Sequence, residues 1–212
     1  VRSVVAVTER VVETPSTVTL RFPYPATADP GQFVMLWLPG DDELPMSLSY
    51  SDGPSKGVTI KAIGGTTRRA QSIRSGDRVG IRGPYGNHLD TAPKRILVVA
   101  GGSGSAALAP AAERARAAGG SVTVALGATQ APELLFKERF RAMGARVEVA
   151  TDDGSEGTKG FVTVVADRLL ATEPFDAVWT CGPEVMMKKV IVAAEGRSVP
   201  VFCSMERHMK CA

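Results

Sequence analysis

RILVVAGGSGSA, residues 95–106, decides the fold. Its first half is continuously apolar and rich in branched side chains, which predicts a strand buried on both faces rather than one that alternates between core and water. The glycines after it allow a tight turn, and the alanine-rich run that follows predicts a helix over residues 106–118. The same grammar recurs downstream. SVTVALG precedes a predicted helix over 132–143, RVEVAT one over 161–170 and AVWTCG one over 183–194, and VPVFCS closes the series with Cys203 as its buried end. Apolar strands alternating with helices predict an open parallel sheet covered on both faces, a nucleotide-binding α/β domain over 92–203.

Upstream of Thr91 the pattern changes to short strands of period two: VRSVVAVTERVVE, STVTLRF, QFVMLWL, SLSYS, GVTIKAI and RVGIRG. Turn residues such as Asp29-Pro30-Gly31, Pro39-Gly40 and Ser75-Gly76-Asp77 separate them. Residues 1–91 therefore read as an antiparallel Greek-key β-barrel, with Thr66–Ile73 as its helical segment. With 212 residues, 44% hydrophobic and 22% charged, the chain is long enough for two such cores. The formal charge of +3 and 6% aromatic content argue against nucleic acid. No apolar run reaches the roughly 18 residues of a membrane span. A soluble, cytoplasmic protein is the expectation.

The loop Gly101, Gly102, Ser103, Gly104 opens a helix whose dipole and amides could hold a pyrophosphate, although such a loop can also be a plain turn. An acidic ribose ligand, expected at the end of the second strand of an ordinary dinucleotide fold, is missing at Gly127-Ala128-Thr129. Cys181-Gly182-Pro183 puts a thiol at the carboxyl edge of the sheet, where it is either part of a site or a buried structural cysteine. Ser47 and Ser49 share one face of a strand and could meet a flavin's polar edge or lie on an ordinary surface. Lys61 with Thr66 and Thr67 could hold phosphate, and Thr is equally an N-cap. Asp152-Asp153-Gly154 reads as a turn. His88 and His208 suggest no hydrolytic triad. Three cysteines in a chain with no secretion signal fit buried thiols or metal ligands better than disulfides.

Taken in order, P-M-S-L-S, K-A-I-G-G-T-T, G-P-Y-G-N, G-G-S-G-S-A, T-D-D-G-S-E-G-T-K-G-F-V-T and C-G-P resemble the ferredoxin–NADP reductase superfamily. The closing S-M-E-R-H-M-K-C, residues 204–211, is similar to the lead-in to a 2Fe-2S cluster in one branch. That branch holds the electron transfer subunits of dihydroorotate dehydrogenase B, especially of archaeal type, and of related hydrogenases, sulfite reductases and ferredoxin oxidoreductases. The resemblance implies an FAD site at Pro45, Met46, Ser47, Ser49, Thr59, Ile60, Lys61, Thr66 and Thr67. It places NAD(H) at Gly101, Gly102 and Gly104, with Cys181, Gly182 and Pro183 toward the nicotinamide. Ser47 and Cys181 would be the catalytic positions, and Cys211 the first metal ligand, in a segment 204–212 whose other ligands follow residue 212. It further implies hydride exchange between NAD(H) and FAD, and single electrons passed through the cluster to an FMN-containing catalytic subunit in a hetero-oligomer of pyrimidine biosynthesis. Leu44 stands where the family has a phosphate-neutralising Arg, with Lys61 or Arg68 as substitutes. Ala107 and Thr129 depart from the family in a direction that favours NADH over NADPH. A chain that keeps the fold as a nucleotide-binding assembly module is the reading of a different class, set apart by the lack of a flavin spectrum.

Overall fold

In the computed structural model, which describes residues 2–92 and 94–205, the chain divides into one unit ending at His88 and a second over Leu89–Met205. The first is built from β1 (Ser3–Ala6), β2 (Glu9–Thr14), β3 (Thr17–Pro23), β4 (Phe33–Trp37), β5 (Glu43–Tyr50), β6 (Ser55–Lys61) and β7 (Arg78–Tyr85), with a short helix α1 (Gly65–Ala70) after β6. Among the described residues these form one antiparallel half-barrel sheet in the order β1-β7-β4-β5-β6-β3-β2. The two-residue period decides which face is dry. Val18, Leu20 and Phe22, Val34 and Leu36, Leu48, Val58 and Ile60, and Val79 and Ile81 converge on a single core. The opening segment expected as one strand is two. Val7 is buried and bonded to the Ser75–Asp77 turn, so β1 pairs with β7 while β2 turns away to β3.

On the opposite face Glu43 accepts hydrogen bonds from Arg2 at 2.8 Å and Arg82 at 2.7 Å, linking β5 to β7 and to the start of the chain. Those guanidinium groups, Arg82 first, hold its carboxyl below the ordinary 4.5. A depressed carboxylate stabilises the fold above the unfolded-state pKa and loses that contribution as pH falls through the folded value. Glu43→Gln is therefore expected to lower stability at pH 7 by about 1 kcal/mol or less, since the cluster is partly solvated. In urea melts the gap from the parent should close below pH 4.5.

The second unit runs β8 (Arg95–Gly101), α2 (Gly104–Ala117), β9 (Ser121–Ala128), α3 (Lys137–Ala142), β10 (Arg146–Thr151), β11 (Thr158–Lys159), α4 (Val162–Thr172), β12 (Ala177–Cys181), α5 (Glu184–Glu195) and β13 (Val201–Cys203). Its strands are parallel, in the order β11-β10-β9-β8-β12-β13 among the described residues. Leu97, Val99, Ala125, Ala150 and Val178 pack against α4 and α5. The alternate residues, among them Ile96, Val98, Leu126 and Trp179, are buried on the other face, where α2 lies. Every central strand thus has two dry faces, which is why its sequence is continuously apolar.

Two expectations are corrected. The predicted helix over 132–143 is only a 3-10 turn, Ala131–Glu133, followed by α3; between them Leu134, Leu135 and Phe136 are all buried, and Phe136 turns to φ 63°. Three consecutive apolar side chains cannot share one helical face, and the chain unwinds to bury them together. Cys203 is half-exposed rather than buried, because β13 is the edge strand. No described helix is long and apolar enough to cross a membrane.

Candidate functional site

The strand order sets the site. From β8 the chain proceeds through α2 to β9 on one side, whereas β12 pairs with β8 on the other and leads to α5 on the opposite face. Loops that leave neighbouring strands for opposite faces open a crevice at the carboxyl edge, the place where open α/β sheets bind ligands. Gly101-Gly102-Ser103 and Cys181-Gly182-Pro183 are those two loops. They approach at backbone distance, for a Cβ built on Gly182 would lie 3.1 Å from both N and O of Gly101. Gly102 has φ +55°, and Pro183 caps α5.

The structure brings Gly101, Gly102, Gly104, Cys181, Gly182 and Pro183 together, with one change of role. A Cβ on Gly104 would fall 2.2 Å from the Cys181 carbonyl oxygen, so glycine there serves the packing of α2 on the end of β12. The Cys181 thiol is not disulfide-bonded and is 1% exposed. Ser105, in the first turn of α2, is fully buried, and its hydroxyl has no hydrogen-bond partner among the described residues. Thr180 Oγ1, one residue before Cys181, is likewise buried and without a partner among the described residues. A buried hydroxyl left unpaired costs about 1–3 kcal/mol, so Ser105 at the mouth of a glycine loop fits an incoming polar ligand such as a pyrophosphate. Thr180 escaped the sequence reading because nothing in AVWTCG marks one residue of a buried strand as unpaired.

In the first unit the expected flavin residues separate into two groups. Ser47, Ser49 and Thr59 lie on the face away from the core, where Ser49 and Thr59 are nonetheless buried, beside a register shift between Leu48 and Tyr50. Thr59 donates to Ser49 at 2.7 Å, Ser49 donates to the Gly57 carbonyl at 3.2 Å, and Thr19 meets Thr59 at 2.8 Å. The hydroxyls of Ser49 and Thr59 are therefore spent within the sheet. Thr67 Oγ1 accepts from the amides of Ile63 and Gly64, at 3.0 and 2.8 Å, and donates to the Gly64 carbonyl, an internal cap of α1. Ile60 is 1% exposed in the core, and its carbonyl takes a bond from Gln71. The side-chain hydroxyls of Ser49, Thr59 and Thr67 are thus engaged within the fold, and Ile60 lies in the core.

Pro45, Met46, Ser47, Lys61 and Thr66 are half-exposed, and Ser47 and Thr66 make no side-chain hydrogen bond among the described residues. Beside Thr66, a Cβ on Gly65 would meet nothing within 4 Å. Open hydroxyls and uncovered glycine backbone suit a large polar cofactor such as FAD. Leu44 pairs with Leu36 across β5 and β4, and Arg69 is engaged by Asp41 and the Pro39 carbonyl. Cys211 lies outside the described residues.

After β10, Asp152 and Asp153 donate their amides to the carbonyls of Ala128 and Thr129, at 3.1 and 3.2 Å, which carries their loop over the end of β9. Asp153 Oδ1 accepts from the Ser155 amide at 2.9 Å and its hydroxyl at 2.6 Å. These bonds hold its carboxyl below the ordinary range.

An antiparallel half-barrel followed by a parallel sheet with paired glycine loops at its switch point defines the ferredoxin reductase-like class of oxidoreductases. No family model matches the chain. A solved NADH-dependent reduced ferredoxin-NADP oxidoreductase superimposes with a TM-score of 0.86 at 28% identity, over 98% of this chain and 78% of that one. Among curated proteins, a probable dihydroorotate dehydrogenase B (NAD(+)) electron transfer subunit of Methanocaldococcus jannaschii is 44% identical over 182 residues, 86% of this chain and 69% of the relative. Its counterpart in Thermoplasma volcanium is 40% identical over 203 residues, 96% of this chain and 77% of the relative. The chain belongs to the family of dihydroorotate dehydrogenase B electron transfer subunits, as the motif order implied.

Proposed function

We propose that the chain exchanges electrons between NAD(H) and a dihydroorotate-oxidising partner, with FAD bound by its half-barrel unit and NAD(H) by its parallel-sheet unit. The observation that carries this is the switch-point crevice, in which two glycine loops converge beside the buried, unpartnered Ser105 hydroxyl. The amides of Ser103 and Gly104, at the start of a 14-residue helix, suit the dinucleotide's pyrophosphate, whereas those of Gly102, Ser105 and Ala106 donate to the carbonyls of Gly127, Gly102 and Ser103. Gly101, Gly102, Gly182 and Pro183 allow close backbone approach, and Cys181 closes the end of the crevice near the nicotinamide. On the first unit, Ser47 and Thr66 would donate to FAD while Pro45, Met46 and Lys61 frame it, and Ser49, Thr59, Ile60 and Thr67 hold those residues in place. FAD, when bound, supplies the exchange between a two-electron hydride and single electrons. In this reading Cys211 provides the first thiolate of a 2Fe-2S cluster that connects to the FMN-containing catalytic subunit, in the cytoplasm.

The purified full-length protein should show oxidised-flavin absorption near roughly 450 nm, bleached by NADH without oxygen; a colourless protein would point to the assembly-module reading instead. Ser105→Ala tests the crevice separately. Without ligand it should be as stable as the parent or slightly more so, because it removes a buried unpaired hydroxyl, whereas NADH affinity should fall roughly two- to tenfold. Unchanged affinity with reduced stability would show that Ser105 serves the fold and not the ligand.

A further inference from the structure

We infer that the water-facing side of α4 and α5 is a self-docking surface, through which two copies of the chain pair about a two-fold axis at Val192. The sequence of α5 presents two stripes. Met186, Met187, Val190 and Ala194 are buried against the sheet, whereas Val185, Lys188, Lys189, Val192 and Glu195 face outward. A surface helix ordinarily carries polar residues on that outward side. Valine gains nothing there for the helix itself, because its branched side chain is a poorer helix former than Ala, Lys or Glu. Val185 and Val192 are nevertheless 68% and 69% exposed. α4 packs beside α5 on the same face of the sheet, and Val164 on it and Phe161 at its N-cap are 59% and 63% exposed. Exposed apolar side chains are ordinary one at a time, but these four stand on two adjoining helices.

The charges decide what covers the patch. At its edge Lys188 is paired with Glu184 at 2.9 Å and Arg197 with Asp167 at 3.1 Å. Lys189 and Glu195 have no ion-pair partner among the described residues, and the Lys189 ammonium rests 5.7 Å from the centre of the Phe161 ring. Lys189 precedes Val192 by three residues and Glu195 follows it by three. The two therefore flank Val192 on the helix surface, each about 4.5 Å from it along the axis and on opposite sides of its stripe. A two-fold axis through Val192, perpendicular to the helix, carries Glu195 of one copy to the place facing Lys189 of the other. An antiparallel pair of α5 helices thus makes two identical ion pairs around a contact between the two Val192 side chains, with Phe161 and Val164 on the Lys189 side. Such self-complementarity is what an isologous contact requires. The axis stands about 13 Å along α5 from Pro183, so the pairing lies clear of the glycine loops.

Sedimentation equilibrium of the full-length protein on its own tests the pairing. The parent should dimerise reversibly, with half of the chains paired at about 100 µM or below, as suits a contact of small area. Val192→Glu, which sets two carboxylates on the axis, should raise the dissociation constant by about tenfold or more. Lys189→Glu and Glu195→Lys should each weaken the dimer by roughly tenfold as well, because either one turns both ion pairs into like-charge contacts. The two reversals combined in one chain restore opposite charges and should return the parent's affinity. Val4→Glu, at an exposed valine of β1, should leave the dimer intact. Each variant should melt close to the parent, since all four positions face water; should Val192→Glu fail that check, the charge reversals and their combination decide alone. The assignment is overturned by a parent that stays monomeric at about 100 µM, by a dimer indifferent to Val192→Glu, or by one that Val4→Glu breaks. Single reversals without effect, or a combined variant that stays as weak as the singles, overturn it equally.

Discussion

Valine at Gly104 is expected to destabilise the second unit by about 3 kcal/mol or more, seen as a lower urea midpoint. The missing side chain would fall 2.2 Å from the Cys181 carbonyl oxygen and 2.8 Å from the Gly182 amide nitrogen, and neither backbone atom can move without displacing the end of β12. Gly101→Ala makes the contrast. There the new methyl would meet the flexible Met186 side chain at 2.8 Å (Sδ) and the Pro183 ring at 3.1 Å (Cδ), with no backbone atom in the way, and the cost should be about 1.5 kcal/mol, well below that of Gly104→Val. If Gly104→Val melted like the parent and lost only its response to NADH, the packing role would be wrong and the residue would act on the ligand.

Trp179→Ala should cost about 3–5 kcal/mol, the range for emptying a large aromatic site in a core. Trp179 is 2% exposed in the middle of β12, which pairs with β8 on one side and β13 on the other. Its loss should also loosen Cys181-Gly182-Pro183, two residues further along the same strand, so that a variant rescued by low temperature binds NADH more weakly than the parent. A variant within about 1 kcal/mol of the parent would mean that the neighbouring helix collapses into the space.

The alternation of strands and helices in the second unit was legible because burial on both faces leaves a continuous apolar signature, as in RILVVAG, and the half-barrel because burial on one face leaves a period of two. What escaped was set by contacts remote in sequence. Phe136 interrupts a helical run because Leu134 and Leu135 must also be buried, and the Ser49 hydroxyl is taken up by Thr59 on another strand. Gly104 looks like a ligand-facing glycine until the end of β12 is set against it, although 77 positions (181 − 104) separate it from Cys181. Asp153 reads as part of a turn because the residue its amide bonds, Thr129, follows a different strand. In the first unit Ser47 and Thr66 are half-exposed, while Thr67 turned out to be the cap that its residue type equally allowed.

The strand order also has a consequence during synthesis on the ribosome. β8 is made first in the second unit yet ends in the middle of the sheet, between β9 and β12. One of its edges is covered as soon as β9 emerges, but the other, in a strand with almost no polar side chain, stays open until α4 has been translated and β12 follows. Nascent chains stalled before β12 should therefore recruit holding chaperones, and chains stalled after β13 should release them.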